Sequence, residues 1–314
     1  MLNNDMKSLK GNKILIGPSS FAAVDHTPMS RLTESGCSVI VNPYKRKLTK
    51  DELITLLSEG VTGLIAGLEP LDGDVLGRSC LKVISRCGSG MSNVDAVAAE
   101  KLRIKVFSTP FGPTNAVAEL TIACLLALLR EIPQITNSMH MRKWDKRTGS
   151  ELRGKTVAVI GYGRIGRRVG ELLSAFDAEV VAIDPEYDGS CSNVKKMELH
   201  EALPKADIFT IHCSGNEHLL GEEEFKVIKQ GAFVLNAARG ELVDESALAD
   251  ALDSGKVAGA WLDTFSEEPY RGPLCDYSKV ILTPHIGSYT AECRASMETE
   301  AVENLLKGLM DGQD

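Results

Sequence analysis

The sequence predicts an α/β protein built from two doubly wound parallel sheets. Three observations predict it: short β-branched runs alternate with helical patterns, that series occurs twice, and a glycine-rich turn opens its second occurrence. With 314 residues, 43% of them hydrophobic, the chain can supply a core to each of two domains.

The first series reads as strands at 13–17 (KILIG), 38–42 (SVIVN), 63–67 (GLIAG) and 82–86 (KVISR), closed by 103–110 (RIKVFSTP). Between them, 49–60 (TKDELITLLSEG) opens on a capping Thr and ends on Gly, as helices do. Residues 114–141 form a long, mainly apolar helical stretch with a kink or break expected at Pro133. The second series starts at 156–166 (TVAVIGYGRIG) and continues through EVVAIDP, DIFTIH, AFVLNA and VAGAWLD. The last helical segment, 288–310, has no strand left to follow it in that series, so it is expected to return to the first domain. The domains are therefore read as 1–110 with 291–314, and 111–290.

Gly161, Gly163 and Gly166 form GxGxxG directly after the apolar strand and at the start of a helical pattern. The first permits a tight turn, the second lets backbone approach a pyrophosphate, and the third lets helix and strand pack closely. The next strand ends in Asp184, 18 residues past the last glycine, where a carboxylate can bond ribose hydroxyls. Pro185, Glu186 and Tyr187 bring no cation to neutralise a 2′-phosphate, so NAD is expected over NADP.

The balance of 35 basic and 43 acidic residues gives a net charge of -8, with the basic residues scattered, which argues against a nucleic-acid partner. The apolar stretch 120–129 is too short for a bilayer span and holds Thr121 and Cys124. No secretion signal is read in 1–10, and the chain is expected to stay in the cytoplasm. Eight cysteines show no CxxC pair and no zinc-site spacing, so most are expected to be reduced, buried thiols, with no metal site.

Three further motifs follow the nucleotide turn in order: VLNAARGELVDESAL at 234–248, DTFSEEP at 263–269 and TPHIGS at 283–288. The first series adds RCGSGMSNVD at 86–95. With these the chain resembles the D-isomer-specific 2-hydroxyacid dehydrogenases over nearly its whole length, in their phosphoglycerate-dehydrogenase-like branch. The resemblance implies a flavodoxin-like substrate domain and a Rossmann NAD-binding domain with the active site in the cleft. It also implies hydride transfer between nicotinamide and a small D-2-hydroxy or 2-oxo acid, and a homodimer.

The same resemblance implies Arg239 as substrate anchor, His285 as acid/base and Glu268 as its partner, and the chemistry suits each. A histidine can take the hydroxyl proton in one direction and return it in the other. A carboxylate beside it favours imidazolium and fixes the tautomer, while an arginine fork can hold a carboxylate at two points. By the same carry-over, the backbones of Ser89 and Gly90 would hold the substrate carboxylate, with Ser89 also near the nicotinamide. Arg164 and Ile165 would meet the pyrophosphate, and Cys213, Ala237, Asp263, His285 and Ser288 would contact NAD, Asp263 at the nicotinamide amide. Read from the residues alone, Arg86 with the run Lys45, Arg46 and Lys47 could face a phosphate, which makes 3-phosphoglycerate one candidate substrate; the other reading of that run, and the favoured one, is a solvated loop, so the substrate stays open.

The chain also departs from the family pattern. Where relatives carry Pro-Leu-Thr after the strand DIFTIH, it reads IHCSGNEHLLG, a shorter loop whose His212 and His218 are read as structural or solvated. Met91 and Ser92 replace a bulky residue followed by Asp in the substrate loop. No amino-acid-sensing extension follows the last helix, so serine feedback through one is not expected. The alternative of another class is an NAD(H)-sensing, corepressor-like binding protein on the same fold, against which the intact Arg239, Glu268 and His285 weigh.

Overall fold

The computed structural model describes residues 9–311; of the segment read for a secretion signal, only Leu9 and Lys10 lie inside that range. Two compact units emerge, Met1–Pro113 with Ser288–Asp314, and Thr114–Gly287.

Unit 1 runs β1 (Lys13–Ile16), α1 (Thr27–Glu34), β2 (Ser38–Val41), α2 (Lys50–Leu57), β3 (Gly63–Ala66), α3 (Gly73–Gly77), β4 (Val83–Arg86), α4 (Ala96–Lys101) and β5 (Lys105–Ser108). The strands form one parallel sheet in the order β2-β1-β3-β4-β5. Helix α2 starts where Thr49 and Glu52 form a reciprocal capping box. Its Leu53 and Leu57 join Leu15, Leu64 and Ile84 of the strands in one buried cluster, the doubly covered arrangement that parallel strands require.

Helix α5 (Pro113–Leu129) leads into unit 2 and is followed by α6 (Ile132–His140). The sequence expectation of a break at Pro133 is corrected by a few residues. The chain turns at Glu131, which has a left-handed φ of 51°, and Pro133 sits in the first turn of α6, where its missing N–H costs no hydrogen bond. Then come β6 (Thr156–Ile160), α7 (Arg164–Ser174), β7 (Glu179–Ile183), β8 (Val194–Lys196), α8 (Leu199–Ala202), β9 (Ile208–Ile211), α9 (Glu222–Val227), β10 (Ala232–Asn236), α10 (Glu245–Asp253), β11 (Val257–Leu262) and β12 (Val280–Leu282). All seven strands are parallel, in the order β12-β11-β10-β9-β6-β7-β8. The short edge strands β8 and β12 were not read from the sequence. The final helix α11 (Ala291–Met310) belongs to unit 1, where it packs on α1, β3, β4 and β5 with Met297, Ala301 and Leu305 fully buried.

None of the described helices is long and apolar enough to cross a membrane. The cysteines are all free, but four depart from the buried reading: Cys80, Cys191 and Cys275 are exposed and Cys213 is half-buried.

One row of residues positions the motifs of unit 2. Leu282, Leu262, Asn236, Ile211, Ile160 and Ile183 stand side by side in register across β12, β11, β10, β9, β6 and β7. The glycine turn, Asp184 and the motifs at 263–269 and 283–288 begin one residue beyond this row, and the motif at 234–248 crosses it at Asn236, so all of them issue from the same carboxyl edge of the sheet. The order reverses between β6 and β9, the switch point at which open α/β sheets bind ligands.

Candidate active site

At the switch point Gly161 has a φ of 88°, and a Cβ there would run into the backbone of Cys213 at the end of β9. A Cβ on Gly166 would strike the Gly161 carbonyl, so this glycine lets α7 sit against the turn. Gly163 differs from both. Its φ is an ordinary -77° as the residue before α7, and a Cβ would meet nothing within 4 Å. Neither backbone strain nor internal packing demands a glycine there. The open space lies before the N-terminus of an 11-residue helix, where backbone N–H groups and the helix dipole favour an anion. A dinucleotide pyrophosphate fits that vacancy of side chain. Arg164 is exposed beside it, while Ile165 packs its side chain toward the core and can offer only backbone.

Asp184, one residue past β7, accepts hydrogen bonds from Tyr162 N (2.7 Å) and Glu186 N (2.8 Å). Its carboxylate is thus fixed against the glycine turn before any ligand arrives. Beneath the turn, Tyr162 meets Tyr187 at 4.8 Å, and the Arg167 guanidinium lies 5.3 Å from both ring centres. Cys213 is half-buried, and burial raises its thiol pKa. His212 donates or accepts at Thr210 Oγ1 through Nε2 (2.8 Å), while its Nδ1 is buried without a hydrogen-bond partner. His218 Nδ1 lies 3.9 Å from Asp244, so it does face a carboxylate that the sequence reading did not pair with it.

On the other stretch of the edge, His285 Nδ1 lies 3.1 Å from both carboxylate oxygens of Glu268. Glu268 Oε1 also accepts from Phe265 N at 3.3 Å. His285 itself has a positive φ of 54°, uncommon for a residue with a Cβ. The segment that carries it is held by Asp263, which is 1% exposed. Asp263 Oδ1 accepts from Thr283 Oγ1 (2.6 Å) and Ile286 N (2.9 Å), and Oδ2 accepts from Gly287 N (2.7 Å). Trp261 Nε1 in turn donates to Thr283 Oγ1 at 2.9 Å. Asp263 was read as a cofactor contact; its three partners here all lie in the histidine segment.

Arg239 follows β10, with Nη1 donating to the Ala238 carbonyl (2.6 Å) and its own carbonyl accepting from Asn236 Nδ2 (2.7 Å). The next residue, Gly240, is packed so tightly that a Cβ would collide with the Phe265–Ser266 backbone. That close approach draws the Arg239 turn and the Glu268 turn together. Phe265 and Tyr270 then stack at 4.3 Å around the Glu268 turn. Sequence reading named Arg239, Glu268 and His285 but gave no role to Gly240, Trp261, Thr283 or Asn236. The first was in view as part of ARG, and its demand for a glycine was the available signal.

Arg86, Ser89 and Gly90 lie in unit 1, at and after the end of β4. Gly88 N donates to Thr109 Oγ1 (2.7 Å), and Arg86, nearly buried, folds back to donate from Nη1 to the Cys87 carbonyl (2.8 Å). Ser89 is exposed. Ser288 opens the return of the chain to unit 1.

The family model for the D-isomer specific 2-hydroxyacid dehydrogenase, NAD binding domain, matches residues 122–287. The chain belongs to this family. The nucleotide-binding unit is thus an NAD-binding domain, and NAD(H) is its cofactor. Among curated proteins, the chain is 38% identical over 293 residues to the D-3-phosphoglycerate dehydrogenase of Rattus norvegicus, covering 90% of this chain and 54% of that protein. It is 35% identical over 273 residues to the hydroxypyruvate reductase of Thermotoga maritima, covering 83% and 89% respectively. The chain spans about half the length of the phosphoglycerate dehydrogenases it matches. A solved structure of the TT0316 protein from Thermus thermophilus superimposes with a TM-score of 0.86 at 34% identity, over 95% of this chain and 96% of that one.

Proposed function

We propose that the protein is an NAD-dependent dehydrogenase that interconverts a short D-2-hydroxy acid and its 2-oxo acid. The reading is carried by one observation: a histidine whose Nδ1 is held at 3.1 Å by a carboxylate, on a segment clamped by the buried Asp263. With Nδ1 facing Glu268, the proton on that nitrogen points at the carboxylate and Nε2 is left for the substrate. In oxidation Nε2 takes the hydroxyl proton as the C2 hydride leaves; in reduction imidazolium returns it to the new alkoxide oxygen. Glu268 stabilises the imidazolium in both directions. Arg239 holds the substrate carboxylate and polarises the 2-oxo group, a two-point task that suits a guanidinium. The bound nicotinamide supplies or accepts the hydride.

Gly161, Gly163, Arg164, Ile165 and Gly166 hold the pyrophosphate through backbone groups, Asp184 takes the ribose hydroxyls, and Cys213, Ala237 and Ser288 make the remaining NAD contacts. Asp263 is a positioning residue for His285. Ser89 and Gly90 are the proposed backbone contacts to the substrate carboxylate. We further propose a homodimer, supported by Met139, Met141 and Trp144, which are 48%, 57% and 78% exposed on α6 and the segment after it. Light scattering at micromolar concentration tests this, and a monomer mass overturns it. For the activity, 2-oxo acids are screened with NADH at the nicotinamide absorbance. Turnover of at least one short acid is expected; NADH binding with no turnover of any would instead mark a nicotinamide-sensing protein.

A further inference from the structure

Three side chains at the carboxyl ends of β11 and β12 form a one-way chain of hydrogen bonds. Trp261 Nε1 donates to Thr283 Oγ1 at 2.9 Å, and Thr283 Oγ1 lies 2.6 Å from Asp263 Oδ1. An indole N–H can only donate, so the Thr283 hydroxyl accepts from it and its own proton goes to Asp263. The direction of both bonds is thereby set. Trp261 is 0% exposed and is the largest fully buried side chain among the described residues. It stands in register between Leu235 of β10 and Ile281 of β12. A close-packed indole has no room to shift, so the hydroxyl is tied to a fixed point of the core.

Thr283 is also bonded through its backbone. Its N–H donates to the Leu262 carbonyl at 3.0 Å, and its carbonyl accepts from His285 N at 2.9 Å. The residue that receives the indole bond is therefore bonded directly to His285, and Asp263 grips the following stretch through Ile286 N (2.9 Å) and Gly287 N (2.7 Å). His285 sits at a φ of 54°, a conformation that a residue with a Cβ keeps only where its surroundings over-determine it. Glu268, against Nδ1, fixes the ring; the Trp261, Thr283 and Asp263 chain fixes the backbone that carries the ring.

We propose that Trp261 is a positioning residue for the dehydrogenase reaction, acting through the Thr283 hydroxyl and Asp263 to fix His285 Nε2, the atom that exchanges the proton. The proposal rests on the dehydrogenase reading above. Without the indole N–H, the Thr283 hydroxyl is free to turn away from Asp263, and the carboxylate loses the one side-chain donor among its three. Proton transfer is steeply sensitive to small displacements of the group that performs it. The dinucleotide and the substrate carboxylate are held by other residues, so the loss falls on kcat.

The test follows NADH-dependent reduction of the best 2-oxo acid by the full chain, with kcat expressed per NADH-binding site so that a misfolded fraction does not count. Trp261→Phe, which keeps an aromatic ring and removes the N–H, is expected to lower kcat about tenfold, the worth of one buried hydrogen bond. The KM of the oxo acid and the Kd of NADH should stay within about threefold of wild type. Thr283→Val is expected to lower kcat about 100-fold, and Thr283→Ser, which restores the hydroxyl, to recover most of that loss. The double variant Trp261→Phe/Thr283→Val should match Thr283→Val alone, because the two residues act along one chain. A tryptophan that only fills the core would lower the melting temperature and leave kcat per site in place, which overturns the proposal. So does a double variant whose loss is the product of the single losses, a Ser variant as slow as the Val one, or a rise of KM and Kd as large as the fall in kcat. If Trp261→Phe does not fold, replacing tryptophan by 3-benzothienylalanine in a Trp144→Phe background keeps the bicyclic shape, puts sulfur in place of N–H and supplies the same comparison. Each of these failures leaves the dehydrogenase reading intact, whereas no turnover of any 2-oxo acid by wild type overturns both.

Discussion

The two stretches of the carboxyl edge in unit 2 are built by opposite means. At β6 and β7 the site consists of what has been left out: glycine Cβ atoms, with Gly163 facing open space. At β10, β11 and β12 the site consists of side chains whose positions are over-determined, with Asp263 accepting three hydrogen bonds and His285 set against both oxygens of Glu268. The difference follows from the tasks. A pyrophosphate is bound by backbone dipoles that any sequence can supply once room exists, whereas proton transfer needs one nitrogen at one place.

If that contrast holds, removing the histidine should harm chemistry and spare cofactor binding. His285→Ala is expected to lower kcat by roughly 10²–10⁴-fold, the range for a lost general acid/base. NADH affinity, followed by fluorescence titration, should stay within a few fold of wild type. A variant with near-wild-type kcat, or one that loses NADH binding as steeply as activity, would break the division of the edge into two stretches.

Gly240 probes how tightly the catalytic stretch is joined. Its missing Cβ admits the Phe265–Ser266 backbone, so Gly240→Ala must push the Arg239 and Glu268 turns apart. Displacements near 1 Å cost about 10²-fold in rate, and overpacking costs about 2 kcal/mol in stability. Gly163→Ala makes the control, since nothing in the protein resists its Cβ: it should leave the melting temperature in place and weaken NADH. Equal loss of stability in both variants would remove the distinction between a glycine needed by the fold and one needed by the ligand.

For the nucleotide stretch, Asp184→Ala is expected to weaken NAD by about tenfold, the worth of one or two ribose hydrogen bonds. Asp184→Arg should move preference toward NADP, because charge at the ribose 2′ position separates the two cofactors. Unaltered Kd for both cofactors in the Ala variant would contradict the assignment. Asp184 also fixes Tyr162 N and Glu186 N, so calorimetry of the free variant is needed to separate a loosened turn from a lost ligand contact.

The same contrast explains what was legible in the sequence. GxGxxG, Asp184 and the three later motifs could be read because each lies at the end of an apolar strand, β-branched in β6, β7 and β9 and mainly apolar in β10 and β11. Strands β8 and β12 are three residues long, at the two edges of the sheet and partly exposed, too short to show any period. The α5–α6 break escaped because it rests on a left-handed Glu131, while the eye goes to Pro133. Asp263 was in view, but the donors that surround it lie 20 to 24 residues away in the chain, and no local spacing announces such a clamp.

The smallest predicted effect lies just beyond the row of aligned residues, at His212. Its Nδ1 is buried with no hydrogen-bond partner, its Nε2 bonds Thr210, and burial alone lowers its pKa from 6.5 to about 3. In the folded protein the imidazole therefore stays neutral through mild acid, whereas in the unfolded chain it takes a proton as pH falls below 6.5. The unfolded state then binds more protons, so this residue's contribution to stability is retained above pH 6.5 and lost progressively as pH falls toward about 3. At pH 5.5 the loss relative to neutral pH is about 1 kcal/mol. His212→Gln keeps an amide within reach of Thr210 and removes the titration. Urea melts of both proteins at pH 7 and pH 5.5 should show the variant losing less stability across that interval than wild type. Equal losses would mean that His212 is protonated in the folded state after all, and that the turn beyond β9 is open to water rather than sealed beneath the glycine turn.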